Sequence, residues 1–102
     1  MASNFKILVQ RHSDNLHLKL AGDFDGTSAC ELLNALKENC DDASKIFIHT
    51  SCLKDIYPFG LDTFHRMLYM LKNRPTHLIF TGEKAVKIAP ERNNLFNILI
   101  MP

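Results

Sequence analysis

Leu16-His17-Leu18-Lys19-Leu20 alternates apolar and polar residues, and then the period of the chain changes. Ala29, Leu32, Leu33 and Leu36 fall at i, i+3, i+4 and i+7, and Ile46-Phe47-Ile48 follows as a short apolar run. Period two predicts a half-buried strand, and the i, i+3, i+4, i+7 stripe an amphipathic helix from about Thr27 to Asn39. The apolar run predicts a central strand covered on both faces. Strand, helix and strand in that order make a β-α-β unit, whose two strands lie parallel in one sheet.

The same reasoning extends outward. Upstream, Phe5, Ile7 and Val9 give a first strand, and Ser13-Asp14-Asn15 is turn chemistry, so the first two strands pair as a hairpin. Ser28 followed by Glu31 has capping-box spacing at the first helix. Downstream, the chain from Ser51 to Tyr57 reads as irregular. A second helix is expected from near Gly60, with Leu61, Phe64, Leu68 and Leu71 facing the core, Met67 and Met70 widening the stripe, and Arg74-Pro75 ending it. Leu78-Ile79-Phe80 is another buried strand stopped by Gly82, Glu83 to Ala89 a short helix closed by Pro90, and Ile98-Leu99-Ile100 an edge strand or a packed tail. The predicted class is α/β: one mixed, mainly parallel sheet with helices packed on it, in the order β-β-α-β-α-β-α(-β).

Composition narrows the function. A chain of 102 residues reads as one domain, residues 1–102, and its 46% hydrophobic and 23% charged residues are ordinary globular values. The net charge is +1, and along the chain the basic residues (among them Lys6, Arg11, Lys19, Lys37, Lys45, Lys54, Arg66 and Lys72) are scattered, which argues against nucleic acid as a partner. No apolar run approaches the roughly 20 residues of a membrane span, and the start shows no secretory signal, so a cytoplasmic protein with no membrane insertion is expected. The three cysteines, Cys30, Cys40 and Cys52, form no Cys-x-x-Cys pair and read as reduced packing residues, Cys30 and Cys40 in a helical pattern and Cys52 in a loop.

Candidate chemistry is sparse. The five histidines, His12, His17, His49, His65 and His77, show no zinc spacing and read as solvated strand residues, with His12 and His17 able to meet across the hairpin. His49 and Cys52 resemble a base and a nucleophile but lack a third, orienting group. Asp23 and Asp25 could work as an acid–base pair, but Asp25 suits better the start of the first helix, where a negative charge meets the helix dipole. The glycines form no phosphate-cradling loop, and no cofactor, metal or enzymatic activity is expected.

Leu20-Ala21-Gly22-Asp23-Phe24-Asp25, the amphipathic helix, Ile46-Phe47-Ile48, and a short connection into Ile56-x-x-x-Gly60-Leu61 together resemble the STAS domain, the fold of anti-sigma-factor antagonists and of the cytoplasmic tails of sulfate transporters. Leu78-Ile79-Phe80-Thr81-Gly82 resembles the family's penultimate strand and turn, and the likeness runs from about Phe5 to Phe96. It implies a module that binds a protein partner, an anti-sigma-like kinase or a signalling complex, in bacterial signalling or transcription regulation.

The resemblance also exposes a departure. Family antagonists carry Asp-Ser-Ser-Gly, or a near variant, at the start of the second helix, where phosphorylation of one hydroxyl switches binding off. This chain reads Tyr57-Pro58-Phe59-Gly60 there, with Pro58 and Phe59 at the hydroxyl positions and no phosphoacceptor. His49 stands where the family often has Asp. The resemblance therefore assigns partner binding to Asp23, Asp25, Tyr57, Pro58, Phe59, Gly60, Leu61 and Asp62. Phe59 is either folded under into the core or an exposed anchor. The alternative function is a nucleotide- or small-ligand-binding STAS domain, for example an accessory subunit of a transporter, although Pro58 removes one backbone donor from the helix start.

Overall fold

A computed structural model describes residues 4–68, 76–90 and 97–101. The elements run β1 (Lys6–His12), β2 (Asn15–Phe24), α1 (Gly26–Asn39), β3 (Lys45–Ile56), α2 (Pro58–Leu68), β4 (His77–Thr81), α3 (Ala85–Ile88) and β5 (Asn97–Met101). They form a five-stranded sheet in the order β1-β2-β3-β4-β5, with β1 antiparallel to β2 and every other pair parallel. The predicted α/β class and element order hold, and the C-terminal segment is a strand rather than a tail. No helix among the described residues is long and apolar enough to cross a membrane.

Strand order decides how the sheet is covered. Each β-α-β unit steps in the same direction across the sheet, so right-handed crossovers carry the helices to one face. Leu16, Leu18, Leu20, Ile46, Ile48, Leu78 and Phe80 point to that face and are buried in the core with Leu32 and Leu36 of α1 and Phe64 of α2. The alternate residues point the other way. Phe47 is only half-buried, which corrects the expectation of a strand covered on both faces. A continuous apolar run suggested two covers, whereas the described helices lie on one face; on the other, Phe47 is half-buried and Ile79 beside it is 4% exposed.

Three boundaries differ from expectation. β3 continues through Ser51–Ile56, the segment read as irregular, because Ala21, Gly22 and Phe24 of β2 pair with Cys52, Leu53 and Ile56 across two register shifts. Bulges break the side-chain alternation while leaving backbone pairing in place, so periodicity misses the extension. α1 is capped by Asp25 rather than by a Ser28–Glu31 box, since Ser28 already lies inside the helix. α2 begins at Pro58, two residues before Gly60, with Pro58 at the first helical position where its missing N–H is harmless. Phe64 and Leu68 of α2 are buried and Leu61 and Met67 pack against the core; Met70, Leu71 and Arg74-Pro75 lie outside the described residues. Of the cysteines only Cys40 is a buried packing residue; Cys30 on α1 and Cys52 on β3 are exposed.

Candidate functional site: the junction of two helix starts

The chain leaving β2 turns directly into α1, and the chain leaving β3 turns into α2 beside it. Tyr57 N–H donates to Phe24 C=O at 3.0 Å, tying the two turns together, and Leu61 N–H donates to Tyr57 C=O at 3.1 Å as α2 starts. Gly60 permits this approach. A side-chain carbon there would lie 2.8 Å from the carbonyl oxygens of both Phe24 and Asp25, too close for any other residue without a backbone shift. Gly26 plays the matching part on α1: its open side is filled by the Phe59 ring, whose Cε2 would come within 2.8 Å of an added side-chain carbon.

This geometry holds Phe59 outward. Its side chain is 69% exposed and Tyr57 is 45% exposed, so the start of α2 presents two aromatic residues rather than folding them under. Phe59 borders a shallow groove lined also by Gly26, Cys30, Thr63 and Arg66. Tyr57 borders a different depression, shared with Lys54 and with Lys84 and Lys87 near α3.

The two acids serve the turns. Asp25 caps α1, accepting from Ser28 N–H at 2.9 Å and from the Ser28 hydroxyl at 3.0 Å, and the same hydroxyl donates to Asp23 C=O at 2.7 Å. The Ser28 N–H above all holds the Asp25 carboxyl below the usual carboxylate range, outweighing the opposing effect of burial, with the Ser28 hydroxyl assisting. Asp23 accepts from Asp55 N–H at 3.3 Å. Asp62 is well exposed and pairs with Arg66 at 3.2 Å, one turn along α2. Leu61 is half-buried against the core and belongs to packing. Thr63 is only 7% exposed, and its hydroxyl is the buried side-chain oxygen without a partner among the described residues.

A second cluster escaped the reading of spacing. On the open face His17 Nδ1 lies 2.9 Å from His49 Nε2, and His49 Nδ1 lies 2.5 Å from Thr81 Oγ1. His17 also stacks on Phe47, with centroids 4.6 Å apart, and meets His12 edge to face at 5.8 Å. His17 and His49 are half-buried and bonded, not simply solvated. Burial first, then the nearby His17 and Lys19, push the His49 imidazole below its ordinary pKa. Thirty-two positions separate the two histidines, so only the parallel register of β2 and β3 brings them together. Among the described residues no group of three or more His, Cys, Asp or Glu is placed to hold a metal ion.

Sheet order, crossovers and paired helix starts together give the fold that the STAS resemblance predicted. Solved structures place it more narrowly, as a SpoIIAA-like fold. The chain superposes on an anti-sigma factor antagonist from Mycobacterium paratuberculosis with a TM-score of 0.59 and 19% identity, over 82% of this chain and 73% of that one. It superposes on the unphosphorylated anti-sigma factor antagonist SpoIIAA with a TM-score of 0.58 and 12% identity, over 96% and 87%. A DUF3478-family protein from Shewanella loihica, described as having a SpoIIAA-like fold, matches with a TM-score of 0.64 and 14% identity, over 99% and 90%. The structure of Mglu matches with a TM-score of 0.63 and 20% identity, over 83% of this chain, which spans only 20% of the Mglu chain. At these identities the likeness is one of fold. No protein-family profile matches the chain, and no curated protein matches its sequence.

Proposed function

We propose that this domain is a non-catalytic protein-interaction module of the anti-sigma-factor-antagonist kind, working in the bacterial cytoplasm in signalling or transcription regulation. Its partner, an anti-sigma-like kinase or a signalling complex, docks on the start of α2. The observation that carries this reading is Phe59, a large aromatic held 69% exposed above Gly26 by backbone contacts through Gly60. Aromatic anchors of this kind dominate binding energy where they fill a partner's pocket. The fold shared with two anti-sigma factor antagonists supports the choice of partner class.

Pro58 and Phe59 stand where the family resemblance puts the phosphorylated hydroxyl, and neither accepts phosphate, so docking here is not gated by that modification. The competing reading, a nucleotide-binding domain, needs free donors at a helix start. Asp25 already occupies the start of α1 with its own negative charge, and Pro58 lacks an N–H at the start of α2.

The test pairs one kinase assay with one mutant. Incubated with a serine-kinase anti-sigma factor and ATP, the protein gains no phosphate on residues 57–60 by mass spectrometry. Phe59→Ala leaves stability within about 0.5 kcal/mol of the parent and weakens the complex by about 2 kcal/mol or more. A variant that both melts and binds like the parent would overturn the docking site.

A further inference from the structure

Folding gathers charge that the linear sequence disperses. Across the open face the registers align three rows: Leu8, Lys19, His49, Thr81 and Met101; Gln10, His17, Phe47, Ile79 and Leu99; His12, Asn15, Lys45, His77 and Asn97. Two lysines and four of the five histidines stand in these rows, and no carboxylate does. Of the described acids, Asp23 follows Lys19 and Ala21 on this side of β2 beyond the first row; the others lie at strand ends, in turns and on the helices. Among these lysines and imidazoles sit solvent-exposed apolar side chains: Leu8 at 54%, Leu99 at 57% and Met101 at 54%.

The charges decide what covers the face. A second copy laid face to face would set Lys19 and Lys45 against the same two lysines, and like-charge juxtaposition is costly. Single-stranded nucleic acid wants free aromatic surfaces for its bases. Here His17, Phe47 and His49 stand packed against one another, with centroids 4.6 and 5.2 Å apart for His17 with Phe47 and with His49, and planes within 8°. Phe47 spends one ring face on His17, His17 and His49 are tied edge to edge by their nitrogens, and two lysines neutralise few phosphates. Carboxylates alternating with apolar side chains match both features of the face.

We propose that the open sheet face, apart from the start of α2, docks an acidic amphipathic segment of a protein partner. Its carboxylates reach Lys19, Lys45 and the imidazoles, while its apolar side chains cover Phe47, Leu8 and Leu99.

The test is an NMR titration of the full ¹⁵N-labelled chain at low salt with a synthetic amphipathic helix of Glu and Leu, and in parallel with poly(U). The peptide shifts Lys19, Phe47, His49 and Leu99 and leaves Gly26 and Phe59 in place. Lys19→Glu combined with Lys45→Glu weakens peptide binding by about tenfold or more without changing the melting temperature, because both side chains are exposed. Phe59→Ala leaves peptide binding unchanged, which separates failure of this proposal from failure of the α2 surface. Absence of peptide binding, shifts confined to Gly26 and Phe59, tighter binding of poly(U), or shifts that grow with protein concentration alone would each overturn it, the last pointing to a second copy.

Discussion

On one face of the sheet Leu18, Ile48 and Phe80 lie side by side with no solvent exposure, whereas one residue further along the same strands Lys19, His49 and Thr81 form a row open to solvent in whole or part. Both faces share one backbone, register and set of ladder hydrogen bonds. They differ in what the connections lay over them. The helix-covered face gains the burial energy that stabilises the domain, at roughly 25 cal/mol per Å² of apolar surface. The open face gains much less, and this leaves its residues free to vary toward binding.

The largest effect expected from this difference is on stability. Phe80→Ala, on the covered face, should cost about 3–5 kcal/mol, because it leaves a cavity against Phe64. Phe47→Ala, one residue from Ile48 but on the open face, should cost only about 1 kcal/mol, the order of its stacking on His17. Urea denaturation of both variants measures the contrast, and equal losses would break it.

Asp25→Ala comes next, at about 0.5–2 kcal/mol, for the loss of the α1 cap. The Asp25 carboxyl is lowered in the folded state, so its contribution is full above the ordinary carboxylate value and is lost as pH falls through the folded pKa. Acid titration of the Asp25→Ala variant should accordingly show a shallower loss of stability in that range.

The smallest effect sharpens the picture of the open face. His49 is faced by His17 and Lys19 from β2 and by Thr81 from β4, with no carboxylate in those rows, and its folded pKa lies below the ordinary 6.5. Between the folded and unfolded values the unfolded chain binds more protons, so stability is full above pH 6.5 and falls as pH drops from there toward the folded value. Melting temperatures at a series of pH values should fall less steeply for His49→Gln than for the parent. Identical slopes would mean that His49 is not constrained by its neighbours.

The sequence was most legible where side-chain periodicity and packing coincide. The alternation of Leu16 to Leu20 and the stripe from Ala29 to Leu36 marked β2 and α1, and Ser13-Asp14-Asn15 marked the hairpin turn. It was least legible where backbone pairing proceeds without a side-chain pattern, as in β3 beyond Thr50, or where neighbours come from distant strands, as with His17 and His49. Gly26 carried no signal for the site, because its role is to leave room for a ring from another helix.

What the sequence determined alone is the kind and order of the elements, since period two and period 3.6 are properties of consecutive residues. It also determined that Pro58 and Phe59 carry no hydroxyl, which is a matter of composition at two positions. Only the tertiary structure decided that Phe59 points outward, that Phe47 is half-exposed, and that lysines and imidazoles share three rows of one face in which no carboxylate stands. Each of these depends on which strand lies beside which and on which side the helices cross, and those relations join residues tens of positions apart.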